Sequence, residues 1–511
     1  MIVNQLGSWT IQQRLDSMEG RINCKQFRIR EGYGKFLPSY KAWGNRRWGA
    51  KSNGQSDGVA DMRLGHGAEW DMNDGGHGQI GCCVVLKILS KIPEDFYQTA
   101  TGHSLPSHTL QYLTFIDFFS LFFFNINMVK MEEDKERKIV LTKPLTIGRE
   151  SDSDSYKAPN LMQRILSLFK NVRPGSDLTR FQLPPLFNLP KSQLQCYGES
   201  VYCTGSDLLS MCNNGESPMD RFISVVAWSI STSRPVTFGV APYNPILGET
   251  HHVSKGNLNV LLEQISHHPP VTALHATDEK ENIEMIWCQR PDPKFNGTSV
   301  EAKVHGIRQL KLLNHGETYE MNCPHLLLRI IPVTSADWAG TVTIRCQETG
   351  LVAELSYRSS NSFLGFGGNH RVIKGKILDS SSLKVLYEVD GHWDSIVKLK
   401  DTKKGQVRVI YDANEVLTGL ETPILKDSER VWPTESAHVW GKLSEAIMNK
   451  DWEKAREAKV EVEERQRDLV KERESKGETW ISKHFVVSNN KEGWECSPIQ
   501  KTVPVAPITA Q

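Results

Sequence analysis

Two adjacent imidazoles followed by two prolines, His267-His268-Pro269-Pro270, are the residues of this chain best suited to chemistry. They leave an apolar run, Asn259–Ser266 (NVLLEQIS), and the prolines fix φ, so the pair is presented on a rigid lip. Imidazoles can donate to phosphate oxygens, and an anionic surface favours their charged form. Two polar turn histidines would read the same way, and both readings stay open. His251-His252 lies nearby, but no acid or cysteine stands at helical spacing to it, so no metal site is expected.

Lys459, Glu463 and Arg467 form a second constellation, spaced i, i+4, i+8 on one helix face. They make either two intrahelical ion pairs or a pair of cations that reach a phosphate while Glu463 orients them. A third is Pro242-Tyr243-Asn244-Pro245-Ile246-Leu247-Gly248-Glu249, a fixed turn whose backbone N–H groups can meet an anion or simply turn the chain.

The elements that must position these groups follow from periodicity. Apolar residues at 161, 162, 165, 166, 168 and 169 predict a short amphipathic helix. Extended chain forced by Leu183-Pro184-Pro185-Leu186 comes next, then a helix over about 220–231. From Asn257 to Ile410, β-rich runs recur about every ten residues between turn signals. That pattern predicts an antiparallel meander closing into a large sandwich or barrel. A charged helix over about 439–475, stopped by Gly477, completes an α+β architecture.

Before this region the chain reads differently. Residues 1–127 are expected to be poorly structured, or a mispredicted upstream extension with the protein starting at Met128 or Met131. Their aromatic run 110–128 nearly reaches the about 20 apolar residues of a membrane span, but Gln111, Asp117, Asn125 and Asn127 interrupt it. Residues 128–159 are expected to be a flexible charged leader, and 486–511 a flexible tail. The balance of 61 Lys plus Arg against 60 Asp plus Glu argues against nucleic acid as a partner held by bulk charge. Ten scattered cysteines without a CxxC pair suit reduced thiols in the cytoplasm.

EQISHHPP at 263–270 resembles the EQxSHHPP signature of the oxysterol-binding protein-related family. NPILGE at 244–249 resembles the family's NPxLGE turn, and Lys459/Glu463/Arg467 resembles its C-terminal phosphate-binding helix. The resemblance spans residues 160–485 and is to a short, plant-like form without a pleckstrin-homology domain. It implies a large incomplete antiparallel β-barrel around a hydrophobic tunnel, with an N-terminal lid (160–190) and C-terminal helices. It implies a lipid carrier without cofactor that extracts sterol and/or phosphatidylinositol 4-phosphate and moves it between membranes. His267, His268, Lys459 and Arg467 would bind the 4-phosphate, supported by Glu463, with the backbone at Tyr243 and Asn244 near the inositol. Leu161, Ile165, Leu168 and Phe169 would form the apolar face of the lid.

Peripheral attachment to intracellular membranes, the endoplasmic reticulum in particular, follows from the same resemblance. One departure stands out: the family's Lys-Pro-x-Asn-Pro turn begins here with Ala241. Losing one charged contact weakens headgroup binding by about 1.5–3 kcal/mol. Pro93-Glu94-Asp95-Phe96-Tyr97 resembles the motif that binds VAP-type proteins of the endoplasmic reticulum, without its downstream acid. The alternatives are a lipid sensor or membrane-contact scaffold with little net transfer, and a lipid-ester hydrolase using His267 or His268 as general base. Within residues 160–485 no GxSxG, P-loop or HExxH motif supports the hydrolase, so no catalytic residue is assigned.

Overall fold

Strand pairing dominates the structure, a computed structural model that describes residues 138–147, 157–205, 207–358, 371–491 and 493–511. The expected extension 1–127, with its aromatic run and Pro93–Tyr97, lies outside the described residues, as does most of the leader. Among the described residues no helix is long and apolar enough to cross a membrane.

Seventeen strands form one mostly antiparallel sheet. Its main path runs from Thr250–Lys255 through Leu258–His267, Pro270–Asp278 and Ile283–Phe295 to Arg308–Leu312 and Glu317–Met321. It continues through Ser335–Cys346, Leu351–Arg358, Val372–Asp379, Val385–His392 and Ile396–Asp401 to Val407–Asp412. Ile424–Leu425 pairs with Ile508–Thr509, which lies parallel to Thr250–Lys255. In strand order Ile424–Leu425 stands next to Val407–Asp412, which brings the two ends of this path side by side.

One face of the sheet closes over helices. Phe222, Val225, Val226, Trp228 and Ile230 of the helix Pro218–Ser231 share a core with Val260, Leu274, Met285, Leu310 and Ile344. This helix begins two residues earlier than expected, because Ser217 caps it and Pro218 suits the first turn. A bidentate pair from Arg221 to Glu317, 2.9 and 2.5 Å, fixes the helix to the strand opposite. The helix Gln193–Tyr202 was not anticipated, although Ser192 and Gln195 form a capping box at its start.

Three expectations need correction. The single helix over 439–475 is instead Ser436–Val439, Gly441–Met448 and Trp452–Lys476. Lys450 adopts positive φ and Asp451 caps the last helix, which breaks the run. The flexible tail is ordered. Phe485–Asn490 and Gly493–Pro498 form a hairpin, and Phe485 packs with Ile265, Val271, Ala273 and Cys288. Val503, Ala506, Ile508 and Ala510 are also buried. Within the leader, Val140 N–H donates to Ala437 O and Ile147 N–H to Leu417 O, both at 3.0 Å, so this part is docked.

Candidate functional site

Backbone hydrogen bonds join the two sequence motifs directly. Gly248 N–H donates to Gln264 O at 2.9 Å, and Gln264 N–H donates to Glu249 O at 2.8 Å. A register shift between Gln264 and Ser266 then turns the strand end, and His267 closes a hairpin onto Pro270. His267 Nδ1 meets Pro245 O at 2.9 Å, and the two imidazoles lie 4.4 Å apart between centroids. His268 is exposed and makes no hydrogen bond among the described residues. Burial lowers the pKa of both rings. The charge of His268 adds to this at His267, and that of Arg180 at His268.

Buried carboxylates hold this rim in place. Glu249 accepts from Ser192 Oγ (2.5 Å), Ser436 Oγ (2.7 Å), Trp440 Nε1 (2.9 Å) and Ile246 N–H (2.9 Å). Glu263 accepts from Ser482 Oγ (2.7 Å) and from the N–H groups of Lys483 (2.9 Å) and His484 (3.0 Å). Each carboxyl meets several donors at no solvent exposure, so both acids are structural supports for the motifs.

Lys459 reaches the rim from the long helix. Its ammonium donates to Leu183 O and, at 2.8 Å, to Asn188 Oδ1, and burial lowers its pKa to about 8. Glu463 stands close enough to offset part of that shift but makes no ion pair with Lys459. Arg467 is exposed and pairs with Glu464 at 3.8 Å. The intrahelical Lys459–Glu463–Arg467 ladder is therefore absent, because Lys459 is drawn toward the chain that follows the helix Leu161–Phe169. Tyr243 turns its side chain wholly into the core, tilted against Trp440 with centroids 4.9 Å apart and bonded to Ser444 Oγ at 3.1 Å. Only its backbone is left to face a ligand, while Asn244 beside it is exposed.

The helix Leu161–Phe169, expected to serve as a lid, turns its apolar face inward as its pattern requires. Ile165 is buried with Phe187, Phe295, Val300 and Ile330, and Leu161, Leu168 and Phe169 pack on that cluster. Phe169 stacks on Phe295 at 4.8 Å. Gly239, at φ 83°, lets Leu161 and Ile165 approach, where a Cβ would meet them at 2.7 and 2.9 Å. Below the helix, Ser176–Asp177 adds a short antiparallel ladder to Lys294–Phe295.

Two positions escaped the sequence reading. Asn188 is buried and bridges the site: it accepts from Lys459 and donates to Ala241 O at 3.1 Å. A lone polar residue inside the Leu183–Pro190 extended run was the available signal. Arg180, on the chain after the lid helix, brings a cation to His268 on the rim where Ala241 offers none.

Comparison with known proteins bears on the whole described region. The family profile "Oxysterol-binding protein" matches residues 165–445. Oxysterol-binding protein-related protein 4C of Arabidopsis thaliana is 56% identical over 375 residues, covering 73% of this chain and 99% of the relative. The human oxysterol-binding protein-related protein 8 is 32% identical over 356 residues, covering 66% of this chain and 38% of the relative. Among solved structures, the Osh1 ORD domain in complex with cholesterol aligns with a TM-score of 0.56 at 22% identity, covering 70% of this chain and 89% of that one. The Osh3 ORD in complex with PI(4)P from Saccharomyces cerevisiae aligns at 0.53 and 22% identity, covering 72% and 96%. At that identity these two likenesses speak for the fold.

Proposed function

This chain belongs to the oxysterol-binding protein family, and from that premise we propose that it extracts a sterol and phosphatidylinositol 4-phosphate from membranes and carries them between them. The observation that carries this reading is the rim itself: His267 and His268 stand on a hairpin pinned by Pro245, with Arg180 and Lys459 on the neighbouring segments. The two imidazoles and two cations are donors suited to a phosphate. The lipid body would lie under the lid helix, whose inner face is already apolar.

Lys459 would exchange Leu183 O and Asn188 Oδ1 for the phosphate, which ties headgroup capture to release of the lid segment. Met162 and Leu166 are 37% and 45% exposed on the outer face of the lid helix. The loop after Ile330 adds Ile331 and Val333, 48% and 50% exposed, and Ile330 shares the cluster of Ile165. These side chains suit shallow, reversible docking on a cytoplasmic membrane face such as that of the endoplasmic reticulum.

The test is transfer between donor and acceptor liposomes by the full chain, with sterol and phosphatidylinositol 4-phosphate followed separately. Movement of both supports the exchanger. Ala241 and the engaged Lys459 favour a second reading, a one-lipid carrier or sensor, which predicts that sterol moves while the phosphoinositide does not. If neither lipid leaves the donor, the carrier reading fails.

A further inference from the structure

The interior of the sheet holds positive charge and hydrogen-bond donors that the chain does not use. Arg234 and Arg308 are only 7% and 8% exposed. Arg234 Nη2 donates to Glu199 O (2.9 Å) and Cys203 O (2.5 Å), but its Nε and Nη1 have no partner among the described residues. Arg308 donates to Thr232 Oγ1 (2.9 Å) and Gln289 Oε1 (3.4 Å) and leaves Nε without one. The indole N–H groups of Trp228 and Trp287 and the hydroxyl of Tyr411 are likewise buried and unpartnered.

These groups share one neighbourhood. The Arg308 guanidinium lies 4.1 Å over the Trp287 ring, and Trp287 lies 6.5 Å from Trp228. Thr232, Ser233 and Arg234 are consecutive: the first accepts from Arg308, and the second donates to Tyr357 at 3.2 Å. Tyr411 lies within electrostatic reach of both Arg234 and Tyr357. The carboxylate whose charge reaches Arg234, that of Glu199, is already paired with Lys191 at 2.6 Å. Arg308 has no carboxylate among its hydrogen-bond partners.

We propose that this interior is a binding floor for the acidic end of an amphipathic lipid, a carboxylate carried on an apolar body and taken up acid end first. The inference rests on the lipid-carrier reading and names a cargo class for it. Five of the six orphaned atoms are N–H donors on arginine or tryptophan. An ionised carboxylate only accepts, at about four lone-pair positions, whereas a sterol hydroxyl brings a donor of its own. Buried charge without a counter-charge is costly, and a carboxylate there would supply one. This floor is separate from the rim at His267 and His268, so the two would act on different ends of a lipid or on different lipids.

The experiment is equilibrium dialysis of the full chain with cholenic acid, a steroid carboxylic acid, and with its methyl ester, which has the same body without the charge. Wild type should hold the acid at least about tenfold more tightly than the ester. Arg308→Gln should remove that preference while ester binding survives. Trp228→Phe, which deletes one donor and keeps an aromatic core residue, should reduce it. His267→Ala/His268→Ala should leave it intact. Equal affinity for acid and ester in wild type overturns the proposal, as does a preference untouched by both interior variants or lost in the double-histidine variant. Should the chain bind acid, ester and cholesterol not at all, the carrier reading itself falls.

Discussion

The same dipeptide, His-His, occurs twice in neighbouring strands and meets opposite fates. His251 is buried, with Nδ1 on Glu435 Oε1 at 2.6 Å and Nε2 on the Tyr202 hydroxyl at 3.0 Å. His252 contacts Pro504 O at 2.7 Å and stacks on Trp432. At 267–268 the chain instead supplies a single carbonyl, that of Pro245. One pair is consumed by the fold, whereas in the other only the His267 ring has a hydrogen-bond partner among the described residues. What differs is the setting: the middle of a strand covered on both faces against a strand end at a hairpin.

Breaking the first pair should have the largest effect. His251→Ala leaves the buried Glu435 with only the His252 N–H among the described residues, and the Tyr202 hydroxyl without its partner, and should cost about 3 kcal/mol, read from urea unfolding. An unchanged midpoint would show that Glu435 and Tyr202 need no imidazole between them. His267→Ala/His268→Ala should keep stability within about 1 kcal/mol of wild type yet weaken phosphoinositide binding by roughly 10- to 100-fold. Ala241→Lys should sharpen the contrast by strengthening headgroup binding about tenfold, read by liposome extraction. No gain would mean that Arg180 already serves in its place.

The pH dependence gives a smaller, signed effect. Both rim imidazoles have pKa values lowered below 6.5, so a bound phosphate, which favours their protonated form, should hold more tightly as pH falls below 6.5. Lys459 loses its proton near pH 8, so headgroup affinity should drop above that. Stability of the unliganded chain should move the other way. Depressed imidazoles contribute stability that is complete above pH 6.5 and lost as pH falls, and Lys459 makes stability rise between about 8 and 10.5. A flat titration of phosphoinositide extraction between about pH 5 and 9 would remove the rim groups from the site.

The sequence carried the rim farther than it carried the scaffold. His267-His268-Pro269-Pro270 was visible because its residue types are unusual together, and the lid helix because its apolar face repeats. Pro270–Asp278 shows no clean alternation, since Thr272, His275 and Asp278 interrupt it, and in the sheet it is buried on both faces. The C-terminal residues read as a tail because their order comes from partners distant in sequence. Ile508 finds Val253 and Leu425, and Val503 N–H finds Thr277 Oγ1 at 3.0 Å. The bridging of Asn188 between Lys459 and Ala241 spans three elements, which no local pattern encodes.

The most direct test compares phosphatidylinositol 4-phosphate and sterol extraction by wild type and His267→Ala/His268→Ala, with an unfolding curve from the same samples. The double variant should unfold like wild type, lose the phosphoinositide and still extract sterol. A variant that keeps the phosphoinositide, with its fold intact, would contradict the division between a structural and a ligand-facing histidine pair.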